Sequence, residues 1–190
     1  HKTRSGRPPL ARLAPPEPSQ MSDAQKEVAQ TILSGPRGAI IGPLGFWLHR
    51  PGLAAPAQEL GAYCRFGSSL PPRLSEIAIC TVARVWSAQF EWYAHKRMAL
   101  DAGVSEAVLD AIRDGAPPPF ADEQEAICHE FSLAAQRDRT VAPELYERTL
   151  AILGRDGLVD LVGINGYYAM VSLTLNVFEA DLPEGVDPEM

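Results

Sequence analysis

Residues 70–103, LPPRLSEIAICTVARVWSAQFEWYAHKRMALDAG, decide how the chain folds. Two prolines at 71 and 72 suit the entrance of a helix, where a missing amide donor costs nothing. The run that follows is apolar nearly all round (Ile77, Ala78, Ile79, Val82, Ala83, Val85), which predicts a central buried helix over Pro72–Trp86. Ser87 is then a candidate N-cap for a second helix, Ala88–Ala102, with Gly103 as a left-handed cap at its end.

Working outward, Ser22 and Gln25 have capping-box spacing before Val28, Ala29, Ile32 and Leu33, so a helix starts near Ser22 and stops at Gly35-Pro36. The stretch GAIIGPLGFWLHRPGL reads as an ordered loop, because Phe46, Trp47 and Leu48 need burial. A helix over Leu53–Phe66 should turn Leu53, Ala57, Leu60 and Cys64 inward, and Gly67-Ser68-Ser69 ends it. Beyond residue 103, helices are expected over Ser105–Arg113, from an Asp122 cap to about Ala135, over Pro143–Leu153, and from Gly157 onward. No segment alternates like a strand between hairpin turns. The expectation is all-α: one helical bundle of about seven to eight helices over residues 21–182. A flexible proline-rich arm (1–20) should precede it and a loose acidic tail (183–190) should follow.

The composition narrows the function. The chain has 190 residues and a formal net charge of −7, which argues against nucleic acid as a partner. No run of about 18 apolar residues lacks charge, so no membrane span is expected. Cys64, Cys80 and Cys128 are far apart and make no CxxC pair, which fits three buried thiols in a reducing cytoplasm and no zinc site.

Chemistry concentrates in the opening stretch. Glu91 and His95 are four residues apart on a helix, so their side chains share a face. A carboxylate beside an imidazole orients the ring and raises its proton affinity, which suits acid–base work. The competing reading is a surface ion pair, against which the neighbouring Phe90, Trp92 and Tyr93 argue. Glu76 lies among Leu74, Ile77, Ala78 and Ile79; it is either a buried acid with a cationic partner, Arg73 or Arg84, or a first-turn acid held by the helix dipole. Arg84 is a structural pair or a carboxylate anchor, and Cys80 is a core thiol or a pocket residue. His49 and His129 have no second ligand at metal-binding spacing. Asn165, Tyr167, Tyr168 and Asn176 are pocket-lining or satisfied core groups.

The block Glu76…Glu91-Trp92-Tyr93-Ala94-His95…Ala99…Ala102-Gly103-Val104-Ser105 resembles the carboxymuconolactone decarboxylase and alkylhydroperoxidase-D-like superfamily. The resemblance is clear over Pro71–Gly115 and looser elsewhere. It implies an all-α, cofactor-free protein that forms homo-oligomers (dimer, trimer or hexamer) around a site on this helix pair. The peroxidase branch places an acid before a CxxC motif and a histidine after it. Glu76 and His95 match that acid and that histidine, but Ala88 and Glu91 stand at the cysteine positions, so disulfide-based peroxide reduction is ruled out there. The expected activity is then a cofactor-free decarboxylase-like lyase or isomerase of aromatic-compound catabolism. Its substrate is a small carboxylated molecule, a lactone among the candidates. His95, Glu91 and Glu76 would be catalytic, and Arg84, Cys80, Trp92 and Tyr93 would bind substrate. Two alternatives stand beside it: a non-catalytic oligomeric ligand- or partner-binding module, and a thiol activity through Cys80.

Overall fold

The computed structural model describes residues 11–190, which form eight α-helices and no strand. They are α1 (Asp23–Ser34), α2 (Pro43–Trp47), α3 (Pro51–Ala62), α4 (Pro72–Val85), α5 (Gln89–Asp101), α6 (Glu106–Asp114), α7 (Glu123–Asp138) and α8 (Pro143–Val177). A single 3₁₀ turn at Pro18–Gln20 precedes them, and a π turn at Tyr63–Gly67 extends α3.

Helix α4 is the axis of the bundle, as its all-round apolarity requires. Every residue from Leu74 to Ala83 is buried, and the helix packs against α5, α7 and α8. Glycine and its substitutes shape the connections. Ser87 takes a left-handed conformation (φ 49°), and the Ala88 amide donates to Ala83 O at 2.9 Å. That bond pattern closes α4 from its C-terminal side. Ser87 is therefore the stop of α4 and not the N-cap of α5, a position held by Ala88 without a side-chain cap. Gly103 (φ 94°) ends α5 in the same way, with Val104 N donating to Ala99 O. The caps read at Ser22 and Asp122 are made by side chains, Ser22–Gln25 forms the full reciprocal box, and Ser105, expected inside its helix, is a further side-chain cap. Helix α8 is interrupted at Gly154 (φ 73°, ψ 174°), so its two parts match the two helices expected on either side of Gly157.

The inward face of α3 differs in part from expectation: Ala57 and Cys64 are buried as expected, but the two leucines are not. Leu53 and Leu60 are 44% and 47% exposed, whereas Ala54, Ala57, Gln58 and Gly61 face the core. Small residues serve there because neighbours come very close: a Cβ on Gly61 would lie 2.1 Å from Tyr167 Oη and 2.2 Å from Arg37 Nη2. Helix α8 has the length and apolarity of a membrane span, yet 56% of its most apolar window is buried in this bundle.

The two ends of the described chain are also docked. The backbone of Arg12 donates to Phe178 O, Ala11 N donates to Asp181, and His49 Nε2 meets Ala14 O at 2.7 Å. Residues 11–15 of the expected flexible arm thus lie against α2 and the end of α8, while residues 1–10 fall outside the described part. The tail expected to be loose is held on α5. Trp92 Nε1 and Lys96 Nζ both donate to Glu189, at 3.0 and 2.8 Å, and Gln89 bonds Met190.

Candidate active site

The turn at Trp86–Ala88 folds α5 back along α4, which brings Glu76 to the α5 face that carries Glu91 and His95. His95 Nδ1–H donates to Glu76 Oε2 at 2.6 Å, and His95 Nε2 lies 2.8 Å from Glu91 Oε1 as an ion pair. The three side chains are 10% exposed or less, so the surface-pair reading fails and the imidazole is enclosed between two buried carboxylates. Glu76 finds its cation in His95, not in Arg73 or Arg84. Arg73 instead bonds Glu125 (2.5 Å) and Asp122 (3.0 Å).

The electrostatics follow from this enclosure. Burial by itself pushes the His95 ring toward its neutral form, but Glu76 and Glu91 outweigh burial and hold it up at about 10. Across the neutral range the cluster is an imidazolium with a carboxylate on each nitrogen. Tyr168 packs edge-on to the ring, with centroids 5.0 Å apart and an interplanar angle of 79°.

A cavity of about 110 Å³ opens on this cluster. One stripe of α5 lines it, Glu91, Ala94, His95 and Met98, at helical i, i+3, i+4 and i+7 spacing. Phe90, Tyr167, Tyr168 and Val171 add aromatic and apolar walls, the loop before α2 adds Ile41 and Gly42, and two cations complete it, Arg37 and Arg65. Glu76 is not part of the lining; it sits behind His95. The cavity therefore meets the proton-holding cluster through Glu91 and His95.

The four residues expected to bind substrate lie elsewhere. Arg84 donates from Nε to Arg113 O at 2.5 Å and lines a separate cavity of about 400 Å³ with His129 and Arg137. Trp92 and Tyr93 are on other faces of α5, and Trp92 is tied to Glu189. Cys80 is fully enclosed beside the cluster; burial first, then the charges of Glu76 and Glu91, push its thiol well above its ordinary value. It is not available as a thiolate. The tail and α6 thus take up two of the four, Trp92 and Arg84.

The polar groups of α8 divide. Tyr167 and Tyr168 reach the cavity. Asn165 is bonded to Ser132, Leu161 O and Gln136, and Asn176 to Trp86 O. Arg37 and Arg65 carried no signal in the sequence. Each is a single basic residue in a turn, one in SGPRG and one in the π turn, and nothing local ties either to the distant α5. Among the described residues, no group of three or more His, Cys, Asp or Glu side chains has the geometry of a metal centre.

No known protein family matches the chain, and no curated protein matches it. Solved structures do. The debrominase Bmp8, in a cysteine-to-alanine variant bound to 2,3,4-tribromopyrrole, superposes with a TM-score of 0.73 at 12% identity, covering 90% of this chain and 91% of that one. Its unliganded form gives 0.72 over the same shares. The alkylhydroperoxidase AhpD core of an uncharacterised peroxidase-related protein from Ralstonia eutropha JMP134 gives 0.76 at 12% identity, covering 94% of this chain and 95% of that one. The fold is AhpD-like and all-helical.

Proposed function

We propose that this protein is a cofactor-free acid–base enzyme, a decarboxylase-like lyase or isomerase acting on a small carboxylated substrate, with unsaturated lactones as the first class to try. One observation carries the reading: a buried His95 held between Glu76 and Glu91 at the wall of a small cavity, where the substrate can reach Glu91. A buried imidazolium with a carboxylate on each side is a loaded proton store, and the apolar walls strengthen its electrostatics by excluding water.

In decarboxylation the bond to the carboxylate carbon breaks and carbon dioxide leaves. Its electron pair stays on the substrate and spreads into the lactone carbonyl. A proton then passes from His95 Nε2 through Glu91 to the substrate carbon, and solvent returns a proton to His95 afterward. Substrate carboxylate and one proton thus become product and carbon dioxide. An isomerisation would use the same route twice, with Glu91 removing a proton from one carbon and returning it to another. In this assignment Glu91 touches the substrate, His95 stores and relays the proton, and Glu76 positions His95 and holds its charge.

The enclosure of Cys80 removes support from a thiol activity. The test is to incubate the protein with a panel of carboxylated unsaturated lactones and follow carbon dioxide release and carbon-bound deuterium uptake from heavy water. Activity that survives in both Glu91→Gln and His95→Gln would remove the cluster from the chemistry.

A further inference from the structure

Arg37 has an unexplained feature. Its Nε and Nη2 atoms are buried and have no hydrogen-bond partner among the described residues. A buried donor without an acceptor is destabilising, and more so when it is charged. These two donors are not an arbitrary pair. In a guanidinium, the Nε–H and one Nη2–H point the same way along one edge, at the spacing of the two oxygens of a carboxylate. The unmet edge is a two-pronged fork.

The fork is closed off over Gly61 beside the Tyr167 hydroxyl, and no acid among the described residues neutralises it. Neither Arg37 nor Arg65 lies within ion-pair distance of a carboxylate among the described residues, although the chain has more acids than bases. Arg37 lines the same cavity as Glu91 and His95. Its guanidinium and the Tyr167 hydroxyl both press against Gly61, where any side chain would collide with them. Burial holds Tyr167 up at about 12 although the adjacent Arg37 guanidinium pulls it down, so its hydroxyl stays protonated and can donate. Arg65, which meets only Met98 Sδ and the Phe66 ring, adds a second positive charge at the cavity wall. The Glu76–His95–Glu91 cluster carries one cation and two carboxylates, so without the arginines an anion would be repelled.

We propose that Arg37 is the carboxylate anchor of this cavity, its guanidinium shifting off Gly61 so that the Nε–Nη2 edge takes the substrate's carboxylate side-on. The ligand class is a small planar carboxylate, held by the fork with its ring toward Phe90 and Tyr168 and next to Glu91. The proposal rests on the acid–base reading and supplies the substrate handle that Arg84, bound to Arg113 O, does not provide.

An inert probe separates the two. Calorimetric titration with 2-furoate and its neutral amide, 2-furamide, should show saturable binding of the acid and at least about tenfold weaker binding of the amide to the unmodified protein. Arg37→Gln should weaken 2-furoate by about tenfold or more, and Arg37→Lys should recover only part of this, since an ammonium lacks the fork. Glu91→Gln should keep 2-furoate binding, because it removes a repelling charge and leaves the anchor. Equal binding of acid and amide, no saturable binding of the acid, or unchanged affinity in Arg37→Gln each overturns the proposal. The acid–amide comparison stands even if the Arg37 variants fail to fold. If 2-furoate binding depends on Arg37 but no lactone is turned over, the anchor holds and the acid–base reading falls. If turnover is found and Arg37→Gln leaves KM unchanged, the reverse is true.

Discussion

His95 Nδ1 lies 2.6 Å from Glu76 Oε2, a bond between two helices whose residues are 19 positions apart in the chain. With Glu91 on the other nitrogen, it makes His95 the cation of a buried triad, so its removal should be felt by the fold as well as by the chemistry. His95→Gln leaves two carboxylates facing each other without a charge between them. Breaking a buried pair costs about 3–5 kcal/mol. Urea denaturation should show a loss of that order, and His95→Gln,Glu76→Gln,Glu91→Gln should regain much of it. A single variant as stable as the parent contradicts the imidazolium assignment.

The same bond sets a pH dependence. His95 rises from 6.5 to about 10 on folding, so the folded state binds its proton more tightly than the unfolded chain. The stabilisation is fully present below the unfolded value of 6.5 and is lost as pH rises toward 10. In that window this group lowers stability with a slope of up to about 1.4 kcal/mol per pH unit. The denaturation midpoint measured at pH steps should fall through this range, and the slope should be smaller in the triple variant. An NMR titration in which the His95 ring deprotonates near 6.5 would falsify the assignment directly.

Thiol chemistry gives a third check. Cys80 is fully buried, and burial pushes Cys64 up to about 11 and Cys128 up to about 12. Native protein at pH 8 should take up almost no iodoacetamide, and denatured protein should label at all three cysteines. Rapid native labelling of Cys80 would reopen a thiol role.

The Arg73–Glu125 pair ties α4 to α7 at a distance of 2.5 Å, with the Glu125 side chain 2% exposed. Arg73→Leu strands a buried carboxylate and should cost about 3 kcal/mol or more in urea denaturation. Arg73→Leu,Glu125→Leu should be clearly more stable than the single variant.

Much of the fold was legible from local signals. The caps at Ser22 and Asp122, the glycine stop at Gly103 and the apolar α4 depend on a few adjacent residues, and each is found as the spacing implies. Ser87 misled because the same small polar residue suits an N-cap or a left-handed stop, and the tight α4–α5 reversal chose the second. The inward face of α3 misled because large apolar residues usually point inward, whereas here Gly61 had to clear room for Tyr167 and Arg37.

By itself the sequence determined the all-helical class, the helix pair that carries Glu76, Glu91 and His95, and the shared face of Glu91 and His95, because helical spacing is a local property. Only the tertiary structure decided that Glu76 belongs to His95, that Arg84 and Trp92 are spent on Arg113 O and Glu189, and that Arg37 and Arg65 stand at the cavity. The reason is physical. Which partner a buried charge finds depends on which helix faces pack together, and that is fixed by the burial of the whole core rather than by any one stretch of chain.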